Sequence, residues 1–265
     1  MFANARALPV VRRIEIGLPF PADAPRTPVK VLLLTDAHLS EPDNGPARMD
    51  AIVDRINALK PDLVVLGGDY IGDWKGGATY DAAASIAPFA RLRAPLGVVA
   101  VTGNHDIVAR PRSQDRRLPN EQAWAKAYGR IGVRLLSNRA VRRGPIAVGG
   151  LADIYTGRPD VPATLSAMRA LGGAPLLLSH SPDIFTHLSG HSPLLLLVGH
   201  THCGQIALPG VGALYVPSAY GTRYACGVYR RGRATMIVSA GVGTSRLPLR
   251  AFAPPDIWLI TLRPL

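Results

Sequence analysis

Apolar residues in this chain fall into short, regularly spaced runs, and nearly every run ends on a polar cluster. Residues 29–35 are rich in valine and leucine, the pattern of a strand buried on both faces. Residues 46–59 follow as a helix, with Pro46 near the first turn and Met49, Ile52, Val53 and Ile56 at helical spacing. The same reading predicts strands at 63–67 and 98–102 and helices at 82–92 and 120–131, the last capped by Asn120. Further strands are predicted at 146–150, 176–179, 194–199, 235–239 and 257–262.

Strand–helix–strand order in the first half implies β-α-β units, and the strand-rich second half implies an additional sheet. Asp36, Asp69, Asn104, His180 and His200 each stand just after an apolar strand. In α/β sheets ligands bind outside the carboxyl ends of the strands, so these five positions point to one shared site.

Length and composition narrow the class. A chain of 265 residues, 48% hydrophobic and 18% charged, reads as one domain over 1–265, with 1–27 an N-terminal extension or edge strand. No apolar run reaches the roughly 20 residues of a membrane-spanning helix, and the first 20 residues lack the apolar core of a signal peptide. Two cysteines, Cys203 and Cys226, lack C-x-x-C spacing and read as reduced thiols of a cytoplasmic protein. A net charge of +12 favours anionic partners: a phosphorylated small-molecule or lipid substrate and, peripherally, an anionic membrane. With aromatics at 6%, stacking on single-stranded nucleic acid is not favoured.

The candidate chemistry lies in five blocks. Asp36-Ala37-His38 places a carboxylate and an imidazole two residues apart, on one side of an extended backbone. Gly67-Gly68-Asp69 offers a carboxylate behind two glycines that let backbone approach an ion closely. Gly103-Asn104-His105-Asp106, Ser179-His180 and Gly199-His200-Thr201-His202 complete the set. Carboxylate, amide oxygen and imidazole together suit borderline divalent ions: manganese, iron, zinc, cobalt or nickel. Two ions would need a bridging carboxylate, and Asp69 is the natural candidate. His187 and His191, outside the blocks, read as ordinary structural histidines.

These blocks, in this order, resemble the signature of the calcineurin-like metallophosphoesterase superfamily. The resemblance implies a four-layer α-β-β-α sandwich: two mixed β-sheets flanked by helices. It further implies that Asp36, His38 and His202 hold one ion and Asn104, His180 and His200 a second, with Asp69 between them. Manganese or an iron–zinc pair is then favoured. His105 would act as general acid or phosphate-orienting group, with Asp106 holding its ring. Gly72 stands where purple acid phosphatases carry a tyrosine ligand, and the arginine of the protein phosphatase motif is lacking. The nearest likeness is to bacterial membrane-associated phosphodiesterases and some UDP-diacylglucosamine pyrophosphatases. Their usual G-H-T-H-G-G-Q reads here Gly199-His200-Thr201-His202-Cys203-Gly204-Gln205.

The expected function is hydrolysis of a phosphodiester or pyrophosphate bond, with hydroxide held between two ions attacking phosphorus. A phosphomonoesterase or nuclease on the same metals is the alternative enzyme; a catalytically silent membrane-surface scaffold is the alternative of another class. Arg110, Arg112, Arg116 and Arg117 are candidates for a substrate clamp, because guanidinium pairs well with phosphate.

Overall fold

Strands that are apolar at every position leave no face for water, and the chain satisfies them by stacking two sheets with helices outside. The computed structural model describes residues 1–73, 75–107 and 120–265. The first half runs α1 (Phe2–Arg6), β1 (Val10–Leu18), β2 (Val29–Leu34), α2 (Pro46–Ala58), β3 (Leu63–Leu66), α3 (Ala82–Ile86), β4 (Val98–Ala100), α4 (Asn104–Ile107), α5 (Glu121–Arg130) and β5 (Val133–Leu135). The second half runs β6 (Arg139–Arg143), β7 (Ile146–Gly150), α6 (Val161–Leu171), β8 (Ala174–Leu178), β9 (Leu194–Val198), β10 (Ala207–Leu208), β11 (Gly212–Ala213), β12 (Gly227–Arg231), β13 (Ala234–Val238) and β14 (Asp256–Pro264).

One six-stranded sheet has the order β1-β14-β2-β3-β4-β5 and the other β12-β13-β9-β8-β7-β6. Both are mixed. β2 to β5 are mutually parallel, as are β7, β8, β9 and β13, while β14 runs antiparallel to β2 and both β6 and β12 run antiparallel to their neighbours. Side-chain alternation builds the layers. Val31 and Leu33 of β2 face the opposing sheet, where they meet Leu195 and Leu197 of β9. Leu32 and Leu34 face outward onto α2, whose Met49, Ile52, Val53 and Ile56 are fully buried. On the far side Leu196 and Val198 of β9 pack with Met168 of α6. The result is the four-layer sandwich.

Some boundaries differ from the sequence pattern for local reasons. The helix predicted over 82–92 is α3 followed by a 3-10 segment, Ala87–Arg91, because Pro88 has no N–H to continue an α-helix. Helix α6, which the apolar pattern did not announce, starts where the Asp160 carboxylate accepts the N–H of Ala163.

The cysteines are a correction. Cys203 and Cys226 form a disulfide, with Cα atoms 5.0 Å apart, instead of remaining thiols. The sheet order explains the pairing: β13 lies between β9 and β12, so the segment leaving β9 and the segment entering β12 reach the same sheet end. Thr201 adds a second tie, its hydroxyl donating to the Ala225 carbonyl at 2.6 Å. Closing a loop of this size removes about 3 kcal/mol of chain entropy from the unfolded state. Thermal melts with and without reductant should therefore differ by several degrees, and Cys226→Ser should melt at the reduced value. Identical melts would show that the cystine contributes nothing to stability.

Candidate metal centre

The loops after β2, β3, β4, β8 and β9 meet at one edge, where their acidic and imidazole side chains come within reach of one another. Asp36 and His38 follow β2, Asp69 follows β3, Asn104 and His105 lie on α4 after β4, His180 follows β8, and His200 and His202 follow β9. All but Asn104 are buried. Their candidate ligand atoms gather into two groups that a third, His38, Asp69 and His105, links. In one, atoms of Asp36, His38 and His202 all lie within 4.8 Å of one another; in the other, atoms of Asp69, His180 and His200 do. Asp69 joins the groups: its Oδ2 is 3.4 Å from Nε2 of His38 and 3.2 Å from Nε2 of His180. Nε2 of His38 is 3.2 Å from Nε2 of His202, and Nδ1 of His200 is 3.1 Å from Nε2 of His180. The exposed His187 and His191 belong to neither group.

The outward ring nitrogens identify these imidazoles as suited to divalent ions. Nδ1 of His38 donates to the Ile71 carbonyl, Nδ1 of His180 to the Gly67 carbonyl at 2.9 Å, and Nε2 of His200 to the Pro217 carbonyl at 2.6 Å. Each bond fixes a tautomer whose remaining lone pair points inward, the arrangement metal-binding histidines use. Asn104 contributes an orphan: its Oδ1 is buried and accepts no hydrogen bond among the described residues. A buried carbonyl oxygen without a donor costs roughly 1–3 kcal/mol, and a cation would satisfy it.

The electrostatics follow from burial. Burial opposes charge on His180, but the carboxylates of Asp69, Asp36 and Asp153 push its pKa well above the ordinary histidine value. Asp69 is likewise held well below the usual carboxylate range, burial being overcome by His180 and His105. His200 is pushed down to about 3 by burial and by neighbouring His180. His202 is held well below its ordinary value by burial, His38 and Arg250. His200 and His202 therefore stay neutral, the form in which imidazole binds metal.

Backbone strain concentrates here as well. Asp36, His38, Asp69, His200, His202 and Cys203 all have positive φ, between 40° and 73°. This corrects the expectation of an extended backbone at Asp36-Ala37-His38: a left-handed turn, not strand alternation, brings those two side chains together. It also accounts for Cys203, which with φ of 53° occupies a conformation that favours the glycine of related motifs. Gly103 is required for space, since a Cβ there would collide with the Asp69 carboxylate.

The expected pairing of Asp106 with the His105 ring is a second correction. The Asp106 carboxylate accepts the backbone N–H groups of Asp69, Tyr70, Ile71 and Gly103, at 2.8–3.3 Å, and so clamps two loops together. Burial and nearby Asp69 raise its pKa to about 7 against these donors. The carboxylate beside His105 is Asp73, whose Oδ1 is 3.4 Å from Nδ1. Two further groups went unnoticed. Arg250 is fully buried and donates to the carbonyls of Ala240, Gly241, Gly243 and Ala253. Asp153 is buried behind His180, just after β7, a post-strand position that the same rule could have flagged. Arg110, Arg112, Arg116 and Arg117 lie outside the described residues.

Above the cluster opens a cleft of about 290 Å³. Its floor includes Asp69, Asn104, His105, His200 and His202; Ile206, Tyr215, Arg246 and Leu247 stand on its wall. A buried, cation-ready floor beneath an accessible cleft is a site built to bind and polarise a small anionic group.

Comparison with known proteins agrees. The calcineurin-like phosphoesterase family profile matches residues 29–240. YkuE of Bacillus subtilis, a metallophosphoesterase whose own activity is uncharacterised, is 34% identical over 235 residues, covering 88% of this chain and 79% of that protein. The phosphodiesterase YaeI of Escherichia coli is 29% identical over 243 residues, covering 89% and 82%. A bovine transmembrane protein with a metallophosphoesterase domain is 28% identical over 290 residues; the match takes in 98% of this chain but only 58% of that protein. Five loops bearing candidate metal ligands at one sheet edge and these similarities lead to one conclusion: the chain belongs to the calcineurin-like phosphoesterase family and is a metal-dependent phosphoesterase.

Proposed function

We propose that the protein hydrolyses a phosphodiester or pyrophosphate bond with two divalent ions. Asp36, His38 and His202 would hold one ion, and Asn104, His180 and His200 the other. Asp69 would be shared. The observation that carries this reading is the single oxygen Oδ2 of Asp69, lying 3.4 Å from an imidazole of one group and 3.2 Å from an imidazole of the other. Bound ions supply Lewis-acid polarisation of a phosphoryl oxygen and lower the pKa of a water molecule.

The chain's own residues supply the rest. His105, with Nε2 4.0 Å from Asp69 Oδ2, borders the cleft where a phosphoryl group would enter. It donates a proton to a phosphoryl or leaving-group oxygen. Asp73 orients its ring and stabilises the imidazolium. Asp106 fixes the distance between the Asp69 and His105 loops through its four backbone bonds. Arg246, on the cleft wall, offers a guanidinium to the anionic substrate.

The likeness to a protein named as a phosphodiesterase favours diester over monoester. A cystine beside the centre persists under oxidising conditions, which favours work outside the reducing cytoplasm over the cytoplasmic placement expected from cysteine spacing. Among the described residues no helix is long and apolar enough to cross a membrane.

Asp69→Asn is expected to lose bound metal, measured by elemental analysis, together with at least about a hundredfold of turnover on bis-p-nitrophenyl phosphate with added manganese. Undiminished turnover by the metal-stripped variant would sink the proposal. The two carboxylates near His105 should separate by assay. Asp73→Asn should reduce kcat on the same diester by about ten- to a hundredfold with little change in Tm. Asp106→Ala, leaving four buried N–H groups without an acceptor, should cost roughly 3 kcal/mol or more and lower Tm by several degrees. The reverse pattern would return the ring-holding role to Asp106.

A further inference from the structure

The cleft wall continues outward as an apolar surface. Hairpin β10–β11 and the segment 245–252 are tied together: Ala207 N–H donates to the Ala251 carbonyl at 2.9 Å and Ala251 N–H to the Gln205 carbonyl at 3.0 Å. Gln205 also reaches segment 245–252 through its side chain, which donates to the Leu247 carbonyl and accepts the Ser245 N–H. From this joined unit Leu208, Val211, Leu214, Tyr215, Leu247 and Phe252 project into solvent, with Val211 70% and both Tyr215 and Phe252 71% exposed. Phe252 is held outward in a left-handed backbone, φ 54°, an unfavourable conformation for an aromatic residue. Apolar side chains grouped on one rim mark an interaction surface, whereas scattered ones do not.

The charge of the same region says what it meets. The loops at this end of the second sheet, residues 199–226 and 240–255, contain no aspartate or glutamate. They carry exposed Arg223 and Arg246 in addition to buried Arg250. Among the described residues, Asp73 reaches segment 245–252, its carboxylate accepting from the Ser245 hydroxyl at 3.4 Å, and Asp183 holds Ser218 and Ala219. Exposed apolar tips with the Arg246 guanidinium beside Leu247 on the cleft wall, on a chain of net charge +12, match a surface that is apolar within and anionic at its face. We infer that hairpin β10–β11, with Leu247 and Phe252, docks the protein peripherally on an anionic lipid bilayer, with the mouth of the metal cleft at the headgroup layer. Ile206, Tyr215 and Leu247 then serve both surfaces, since they stand on the cleft wall as well. A phosphoester carried by an amphiphile would reach the cleft without leaving the interface. That last step rests on the phosphoesterase reading above; the docking itself does not.

The test uses the full chain loaded with manganese, sedimented with vesicles of phosphatidylcholine alone or mixed with phosphatidylglycerol. Binding is expected to the mixed vesicles, weakened by salt, and reduced at least about tenfold in the double variant Val211→Asp, Leu214→Asp. Neither residue lines the cleft, so turnover of bis-p-nitrophenyl phosphate and Tm should be unchanged in that variant. Failure of the native chain to bind anionic vesicles, or equal binding by the variant, overturns the inference. So does a concentration-dependent dimer, seen by light scattering and abolished by the same substitutions, which would assign the face to a second copy. Loss of diester turnover by the native holoenzyme, with vesicle binding intact, would instead count against the proposed function alone.

Discussion

Everything at the functional edge of this protein depends on keeping a carboxylate charged in a buried place. Asp69 is 1% exposed, and an isolated ion so placed would cost several kcal/mol. It is tolerated because His38, His180 and His105 surround Oδ2 while Oδ1 accepts the His105 backbone N–H at 2.8 Å. A cluster that gathers histidines around acidic oxygens and leaves Asn104 without a donor is arranged for cations. The remaining ring nitrogens, bonded to carbonyls of the loops that carry their neighbours, make the cluster one connected object.

That object imposes its shape on the backbone around it. Left-handed turns at Asp36, Asp69, His200 and His202 aim side chains inward that a regular strand would splay to opposite sides. Such strain persists only where the surroundings over-determine it. Asp106 does this for the loops after β3 and β4 by accepting four N–H groups. Arg250 does it for the connection between β13 and β14 by donating to carbonyls near both its ends, and the Cys203–Cys226 bond does it for the loop after β9. Outward of these ties the chain changes character, and the rim formed by β10–β11 and 245–252 is apolar, basic and exposed.

Particular residues show why the sequence was legible in some respects and opaque in others. The strands stood out because Leu32 and Leu34 serve one core while Val31 and Leu33 serve another, so burial on both faces produced an unbroken apolar run. The candidate ligands stood out because polar residues directly after such runs have few other reasons to be there. Asp73 did not, since nothing in its local sequence says that a loop will carry it to His105 Nδ1 while Asp106, immediately beside His105, turns away to bind backbone. Nothing in its local sequence marks Arg250 for burial, yet it is fully buried.

The sequence by itself determined the metal chemistry: residue types and their order after apolar runs are local properties, written in composition and spacing. Tertiary structure alone decided that Asp73, not Asp106, lies beside the His105 ring, and that two cysteines 23 residues apart are bonded. Those outcomes depend on strand order and on the close approach of loops distant in sequence. They are set by the crossing of β13 between β9 and β12 and by the meeting of five strand ends, which no single segment encodes.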